Sequence, residues 1–317
     1  MAREQGRLLG KTQELGFGLL REPLLSTLTE DVVHSSEIEG EKLETDQFRS
    51  SIARRLGMDV GRLVPADRDV EGIVEMMLDA TTPYAQPLTA DRSFDCRAAL
   101  FPTGRSGLQK IGVGKWRDDI SGPMRIVSAP IGRQKVHYEA PSAARLPEEM
   151  QRFLSWFKAP RSSDPLLIAG LAHLWFVTVH PFDVGNGRIA RAIADMVLAR
   201  SERSSQRFYS MSAQIRRERA RHCTALERTQ KGTLDTTPWQ EWFLTCLCRA
   251  IQNSQHTLRA VPQKAHPWER HAQQVLYPRD ELRYFGWIWT AVAIAPGRAL
   301  KRLASAGRRI EIRGDSL

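Results

Sequence analysis

The stretch Leu166–Val179 constrains the fold most strongly, because it is apolar on nearly every side of the helix that its residues would form. A helix without a polar face has to be covered by other elements on most of its surface. The sequence therefore predicts a helix buried at the centre of a bundle. Pro181–Gly187 then supplies a glycine-containing loop, and the apolar residues of Arg188–Arg200 return at helical spacing.

Other segments repeat the helical pattern. Leu24–Ile38 and residues 47–57 are periodic, and each is followed or closed by a glycine, Gly40 and Gly57, that suits a helix C-terminus. Further helices are predicted over Pro147–Phe157 and Pro238–Ile251. Only Met124–Pro141 differs, with β-branched residues on both sides of Pro130–Arg133, which predicts a hairpin. The expected fold is mainly α with one small β-hairpin.

Composition indicates a globular chain outside the membrane. The longest apolar run, Phe285–Pro296, has 12 residues by its numbering and is too short to cross a bilayer. The first residues are interrupted by charge, unlike a secretory signal. No CxxC pair or metal-ligand spacing involves the four cysteines, Cys96, Cys223, Cys246 and Cys248. These features predict reduced thiols and a cytoplasmic location.

The basic charge is concentrated at the C-terminal end. The chain has a formal net charge of +10, and residues 256–317 contain 11 Lys and Arg against 5 Asp and Glu. Such a segment is usually a solvated surface, but it can also neutralise nucleic-acid phosphates. Its fold is not evident from the sequence, and nucleic-acid binding through 256–317 stays open as an alternative.

The run His180-Pro181-Phe182-Asp183-Val184-Gly185-Asn186-Gly187-Arg188-Ile189-Ala190-Arg191 carries the chemistry. Glycines before a helix N-terminus let backbone N–H groups turn toward one point, which favours a bound phosphate. Arg188 and Arg191 are three residues apart by their numbering and share a helix face, so they can address neighbouring phosphates.

His180, at the rim of this cradle, can accept a proton from an incoming hydroxyl near neutral pH. Together these groups indicate attack of a hydroxyl on a nucleotide phosphate. Taken singly, each residue also has an ordinary structural explanation. A histidine at a helix end is commonly structural, and Arg191 could pair with Asp195 one turn later.

The run resembles the signature of the Fic (filamentation induced by cAMP) family, and the resemblance extends over roughly residues 8–255. It implies a Fic-type helical bundle that transfers AMP from ATP to a protein hydroxyl. His180 would be the general base, and Phe182 would anchor the loop in the core. Binding of the ATP phosphates would then fall to Gly185, Asn186, Gly187, Arg188 and Arg191, the last of these meeting the γ-phosphate.

The same resemblance makes Met124–Pro141 a flap that aligns a segment of the target protein by strand-like pairing. It also implies an inhibitory helix at about residues 26–40, with Ser35, Glu39 and Gly40 at the positions of the inhibitory motif. Glu39 would compete with the γ-phosphate for Arg191.

The metal position departs from the family pattern. Relatives usually place Asp or Glu where this chain has Val184, and that carboxylate helps to hold Mg²⁺. Asp183 is adjacent and is the candidate ligand, so Mg²⁺ is expected but more weakly bound. A second departure is His222-Cys223, which stands where relatives often have aromatic residues near the adenine.

The sequence thus predicts three regions: 1–90 with the inhibitory helix, a Fic core at 91–255 with flap 124–141 and signature loop 180–191, and the basic segment 256–317. The favoured function is an autoinhibited protein adenylyltransferase that uses ATP and Mg²⁺. Two alternatives stay open: a weakened or AMP-removing Fic protein, and a DNA-binding regulator with a nucleotide-sensing core. Assembly into a homo-oligomer is also left open.

Overall fold

In the computed structural model of the chain, the described residues are 2–15, 17–59, 61, 63–120, 122–128, 135–159 and 162–271. The chain divides into a unit of Met1–Pro262 and a second of Gln263–Leu317. Most of the basic segment predicted at 256–317, from residue 272 onward, lies outside the described residues. The region boundaries proposed near residues 90 and 255 stay predictions.

Four helices form the N-terminal part: α1 (Ala2–Leu15), α2 (Phe17–Ile38), α3 (Thr45–Arg55) and α4 (Arg68–Thr81). Helix α2 is longer than its apolar pattern and the predicted span 26–40 indicated, because it continues back through Pro23 to Phe17. A proline removes only one donor from the helical ladder, and packing can offset that loss.

The end of α2 is defined by Gly40, as predicted. Gly40 has a φ of 90°, its N–H donates to the carbonyl of Glu37, and the N–H of Glu41 donates to the carbonyl of Ser36. This pair of bonds is the Schellman arrangement, in which glycine takes the left-handed position. It fixes where the chain leaves the helix, and with it the positions of Glu39 and Glu41.

The remaining helices are α5 (Ala90–Leu100), α6 (Leu146–Lys158), α7 (Pro165–Val179), α8 (Asn186–Glu202), α9 (Met211–Arg217), α10 (Arg219–Lys231) and α11 (Thr237–His271), with a 3-10 turn at Ala143–Arg145. Each predicted helix is present. Helix α7 is not covered on every side, however, since Leu167 remains 40% exposed. Helix α8 is the more buried of the two, because α2, α4, α5 and α7 all pack on it.

Two small antiparallel sheets complete the fold. Strands β1 (Arg105–Ser106) and β2 (Gln109–Lys110) form one, and β3 (Arg125–Ser128) and β4 (Lys135–Glu139) form the other. The second is the hairpin predicted within Met124–Pro141, with a bulge between Ile126 and Val127. Its predicted turn at Pro130–Arg133 lies outside the described residues. The fold is mainly α with a small β-hairpin, as expected, although the β1–β2 pair was not predicted. None of the described helices could span a membrane.

Candidate active site

The signature loop joins the two most closely packed helices of the core. Helix α7 ends at His180, whose backbone is left-handed with a φ of 52°, and α8 begins at Asn186, two residues earlier than predicted. The reason is Gly185, which has a φ of 85° and serves as the N-cap. A Cβ on Gly185 would also lie 3.0 Å from the Phe101 ring, so both its conformation and its surroundings favour glycine.

Phe182 and Asn186 hold the loop together from inside. Phe182 has no exposed surface and packs against the rings of Phe94, Trp116 and Phe176. The side chain of Asn186 accepts from the N–H of Phe182 at 3.0 Å and donates to its carbonyl at 2.6 Å. Phe182 therefore anchors the loop, and the Asn186 side chain turns inward to it, which leaves the backbone N–H of Asn186 for a phosphate.

The ring of His180 is arranged to accept a proton. Its Nδ1 is 3.1 Å from the carbonyl oxygen of Val177, which can only accept, so Nδ1 carries the hydrogen and Nε2 has the free lone pair. Burial lowers the pKa of His180, an effect that the bond to Val177 opposes and the charge of Arg117 adds to. His180 is therefore neutral at pH 7 and competent as a base.

Both signature arginines are buried and meet residues from the end of α2. Arg191 donates from Nε to Ser35 Oγ at 3.0 Å, and from Nη2 to the carbonyl of Ser35 at 2.9 Å and to Glu39 Oε1 at 2.8 Å. Arg188 pairs through Nη1 with Oε2 of Glu41 at 2.7 Å. Since all three partners lie within residues 35–41, the end of α2 and the turn after it contact both signature arginines.

The alternative pairing of Arg191 with Asp195 is absent. Asp195 instead accepts from Nη1 of Arg207 at 2.6 Å, and Asp31 of α2 lies 3.5 Å from Nη2 of the same guanidinium. All three side chains are buried. This cluster joins α2 to α8 below the contact that Ser35 and Glu39 make with Arg191.

The carboxylate of Glu39 lies at the N-terminus of α8. A Cβ added to Gly187 would be 2.3 Å from Glu39 Oε1, which shows how closely the carboxylate approaches the helix end. The first N–H groups of a helix have no partner within it and carry partial positive charge. Burial alone would raise the pKa of Glu39, but Arg191 and, more weakly, Arg188 lower it below its usual value. Glu39 is thus a carboxylate in an anion site.

The loop offers one carboxylate to a metal. Asp183 Oδ2 is 3.2 Å from Nη2 of Arg97, and the neighbouring carbonyl of Val184 accepts from Nη1 of the same side chain. Within the part of the chain that the structure describes, no cluster of three or more His, Cys, Asp or Glu side chains could hold an ion. Asp183 therefore shares its charge with an arginine.

Two buried arginines that contact the loop, Arg97 and Arg117, were not predicted from the sequence. Arg97, on α5, is fully buried and lies 4.9 Å from the centre of the Phe182 ring, where burial lowers its pKa to about 10 despite the opposing charge of Asp183. Arg117 donates from Nε to the carbonyl of His180 at 2.8 Å. The local sequence gives no signal for either residue, because it does not distinguish a buried arginine from an exposed one.

The hairpin predicted to be a flap lies beside His180. Tyr138 on β4 donates from its hydroxyl to the carbonyl of Thr178 at 3.0 Å, and His137 Nδ1 lies 2.8 Å from Glu227 on α10. Ile126, Val127 and Val136 are each more than a third exposed. The hairpin is therefore anchored on one side, and β3 has β4 as its only strand partner among the described residues, which suits the addition of a strand at its other edge.

His222 lies in the core rather than at an open rim. Its ring packs against Trp239, Trp242 and His173 with centre-to-centre distances of 5.8, 5.0 and 6.0 Å. Burial, with the nearby charge of Arg191, lowers the pKa of His222 to about 3. His222 is therefore neutral, and Cys223 beside it is exposed.

Comparison with known proteins agrees with this geometry. A sequence profile of the Fic/DOC family matches residues 87–198, and a profile described as a domain of unknown function (DUF4172) matches residues 1–58. The protein adenylyltransferase Fic of Drosophila melanogaster is 26% identical over 189 residues, covering 58% of this chain and 35% of the relative. That of Aedes aegypti is 24% identical over 251 residues, covering 77% of this chain and 44% of the relative. The chain thus spans less than half the length of these curated relatives.

Solved structures share the fold at low identity. A Fic family protein from Desulfovibrio desulfuricans G20 aligns with a TM-score of 0.60 and 22% identity, over 81% of this chain and 73% of its own. A Fic domain containing signaling protein from Bacteroides thetaiotaomicron VPI-5482 aligns with a TM-score of 0.59 and 19% identity, over 82% and 97%. Residues 87–198, which contain the signature residues on α7 and α8, thus match the Fic/DOC family, and the chain shares the fold of solved Fic structures.

Proposed function

We propose that this chain is a protein adenylyltransferase that moves AMP from ATP to a Ser, Thr or Tyr hydroxyl of a target protein. One observation carries the proposal: a neutral histidine with a free Nε2 lies beside a helix N-terminus that presents two buried arginines. A base and an anion site in one loop suit attack by a hydroxyl on a phosphate.

The reaction is then a single displacement at the α-phosphorus of ATP. The target oxygen attacks the α-phosphorus while its proton passes to Nε2 of His180. The bond from the α-phosphorus to the oxygen that bridges to the β-phosphate breaks, and pyrophosphate leaves. The products are AMP in phosphodiester linkage to the target and one pyrophosphate. The N–H groups of Asn186, Gly187 and Arg188, with the guanidinium of Arg191, would orient the phosphates.

Mg²⁺ is part of the proposal, held chiefly by the nucleotide. Asp183 would be the protein ligand, and its position on the loop beside Phe182 and Gly185 suits that role, whereas Val184 has no ligand atom in its side chain. Mg²⁺ often rests on one or two carboxylates plus substrate phosphates, so this donor set fits a weakly bound ion. When bound, the ion would neutralise charge on the phosphates.

We further propose that the chain is inhibited by its own Glu39. A guanidinium edge can take a carboxylate or a phosphate, but not both. Glu39 occupies Arg191 and approaches Gly187, so the γ-phosphate would have to displace it or turn away from in-line geometry. Ser35 and Gly40 support this arrangement, the first by binding Arg191 and the second by ending α2.

Target proteins would dock on the exposed side of the hairpin by adding a strand to it. Main-chain pairing depends little on side chains, which would allow several target sequences. A cytoplasmic location and a homo-oligomeric state stay predictions.

Labelled ATP tests the proposal. The wild type, Glu39→Gly, and Glu39→Gly combined with His180→Ala are incubated with bacterial lysate and ATP labelled on either the α- or the γ-phosphate. AMP transfer predicts protein labelling by the α-label alone, strongest in Glu39→Gly and lost with His180→Ala. Labelling by the γ-label would indicate a kinase, and no labelling by either would refute the transferase. Release of AMP from a previously modified protein would favour the AMP-removing alternative.

A further inference from the structure

Arg117 connects the signature loop to the base of the hairpin. Its side chain is completely buried, and it precedes the hairpin in the sequence. Nε donates to the carbonyl of His180 at 2.8 Å, Nη2 donates to the carbonyl of Pro141, and the backbone N–H donates to the carbonyl of Pro181 at 2.9 Å. One residue therefore binds both the segment that holds the base and the segment that ends the hairpin.

Pro141 is close to the point where the hairpin is closed. The N–H of Ala140 donates to the carbonyl of Met124 at 2.9 Å, which joins the two ends of the hairpin next to Pro141. A second tether runs from Tyr138 to the carbonyl of Thr178, in the last turn of α7 before His180. The hairpin and the segment that holds the base are thus linked at two places. One link runs through the side chain of Arg117, and the other is the direct bond from Tyr138 to Thr178.

We propose that Arg117 is a positioning residue that sets the distance between His180 and the hairpin, and thereby between the base and the target hydroxyl. This inference rests on the proposed function, in which His180 accepts the proton and the hairpin holds the target. Arg117 itself touches neither substrate; it acts through two backbone carbonyls.

The shape of arginine suits this role. A guanidinium is a planar fork with donors in several fixed directions, whereas a lysine ammonium is a single point of charge. Here the remaining nitrogen, Nη1, donates to Asp119 Oδ1 at 2.7 Å, and Asp119 Oδ2 accepts from the N–H of Ala143 at 2.6 Å. Burial lowers the pKa of Arg117, and the charge of Asp119 opposes that effect. Asp119 balances the charge, while the other donors are left for His180 and Pro141.

The distance between His180 and the hairpin should matter more for transfer of AMP to a protein hydroxyl than for transfer to water. A misplacement of about 1 Å between reacting groups can cost on the order of 10²-fold in rate. A protein hydroxyl reaches His180 only when the hairpin holds it in register. Water can reach the α-phosphate without the hairpin. Loss of the Arg117 bridge should therefore slow transfer to a protein more than hydrolysis of ATP.

The kinetic experiment uses Arg117→Lys in the Glu39→Gly background. Lysine keeps the charge opposite Asp119 but cannot reach both carbonyls. Transfer of labelled AMP onto the lysate proteins that Glu39→Gly modifies should fall on the order of 10²-fold, with AMP release to water changed only a few-fold and ATP affinity unchanged. Equal loss of transfer and hydrolysis would overturn the proposal. Unchanged transfer in Arg117→Lys would also overturn it, because a residue that only balances the charge of Asp119 tolerates lysine.

Arg200→Lys is the matched control. Arg200 also ties two backbone carbonyls, those of Tyr84 and Gln86, but at the far end of α8. About 1.5 Å of rise per residue puts it roughly 20 Å from the signature loop. Its substitution should lower the melting temperature about as much as Arg117→Lys without changing the ratio of transfer to hydrolysis.

Hydrogen exchange gives a readout that needs no activity. In Arg117→Lys, the backbone amides of residues 135–140 and those of 177–182 other than Pro181 should exchange faster together, and neither set should change in Arg200→Lys. Unchanged exchange in both segments, or a change in one alone, would contradict the coupling. If Glu39→Gly transfers no AMP while the two segments do respond together, the proposed function fails, whereas the structural coupling of the hairpin to the His180 segment through Arg117 stands.

Discussion

Glu39 Oε1 accepts a hydrogen bond from Nη2 of Arg191 at 2.8 Å, across the contact between α2 and α8. The guanidinium is buried, whereas 32% of the Glu39 side chain is exposed. A buried cation therefore holds a side chain that is itself only partly buried. Such a contact can open without unfolding either helix, which is the property that a reversible inhibitor requires.

Replacing Glu39 should activate the chain. Glu39→Gly frees Arg191 and the N-terminus of α8 for phosphate, so AMP transfer should rise by about tenfold or more, which corresponds to roughly 1.4 kcal/mol of relieved competition. The measurement is incorporation of α-labelled AMP at fixed ATP concentration. Adding Arg191→Ala should abolish the gain.

Glu37→Gln is the matched control for this prediction. Glu37 is also in the last turn of α2, but it pairs with Arg216 at 3.1 Å and with His34 instead of the signature arginines. Its replacement should leave transfer unchanged. Equal activation by both substitutions would mean that loosening α2, and not the Glu39 carboxylate, controls activity.

His180 should determine the acid limb of the pH profile. Because burial lowers its pKa from the usual value of 6.5, the ring stays neutral as pH falls through that value. In Glu39→Gly, kcat/KM for transfer should therefore decline only below pH 6.5. His180→Ala should lower the rate by roughly 10²–10⁴-fold with ATP affinity retained. A profile that already falls above pH 6.5 would exclude neutral His180 as the limiting base.

The sequence predicts what depends on short-range patterns. The helices, the hairpin and the stop at Gly40 follow from periodicity and turn residues, and the signature residues are within one loop and the helix turn after it. Even so, the first residue of α8 differs from the prediction, because the left-handed Gly185 already caps the helix. The Asn186 side chain also turns inward to Phe182, which no local pattern indicates.

Arg97 and Arg117 could not be predicted in this way. Their partners Asp183 and His180 are 86 and 63 residues away in the chain. An arginine is ordinarily a surface residue, and only the tertiary structure shows that these two are buried and paired. The ion pair of Arg188 with Glu41 could not be predicted either, because it depends on the tertiary contact between the end of α2 and α8.

Val184 should be the position that limits metal affinity. Val184→Asp adds a carboxylate beside Asp183 and the phosphates, so the Mg²⁺ concentration that gives half-maximal ATP binding should fall. Val184→Asn is the control of similar shape without charge. The measurement is a Mg²⁺ titration of ATP binding by calorimetry in the Glu39→Gly background. Identical titrations for the valine, aspartate and asparagine forms would show that this position does not contribute to the metal.

Asp195 should make the stability of the chain depend on pH near neutrality. Burial raises its pKa to about 7; Arg207 opposes the shift, and the second carboxylate, Asp31, adds to it. In the unfolded chain an aspartate has a pKa of about 3.9. Between these values the folded state keeps a proton that the unfolded state has lost. The contribution of Asp195 is thus greatest below about pH 4 and is lost as pH rises toward 7, at no more than about 1.4 kcal/mol per pH unit.

Asp195→Asn isolates this effect, because asparagine keeps an oxygen acceptor for Arg207 but cannot ionise. Denaturant unfolding of both forms from pH 5 to pH 8 gives the difference in free energy of unfolding, in which the titration of groups remote from the Arg207 cluster cancels. The free energy of unfolding of the wild type should fall relative to that of Asp195→Asn as pH rises, and the difference should level off above pH 7. A difference that is constant across the range would mean that Asp195 is ionised throughout and that its pair with Arg207 is an ordinary buried ion pair.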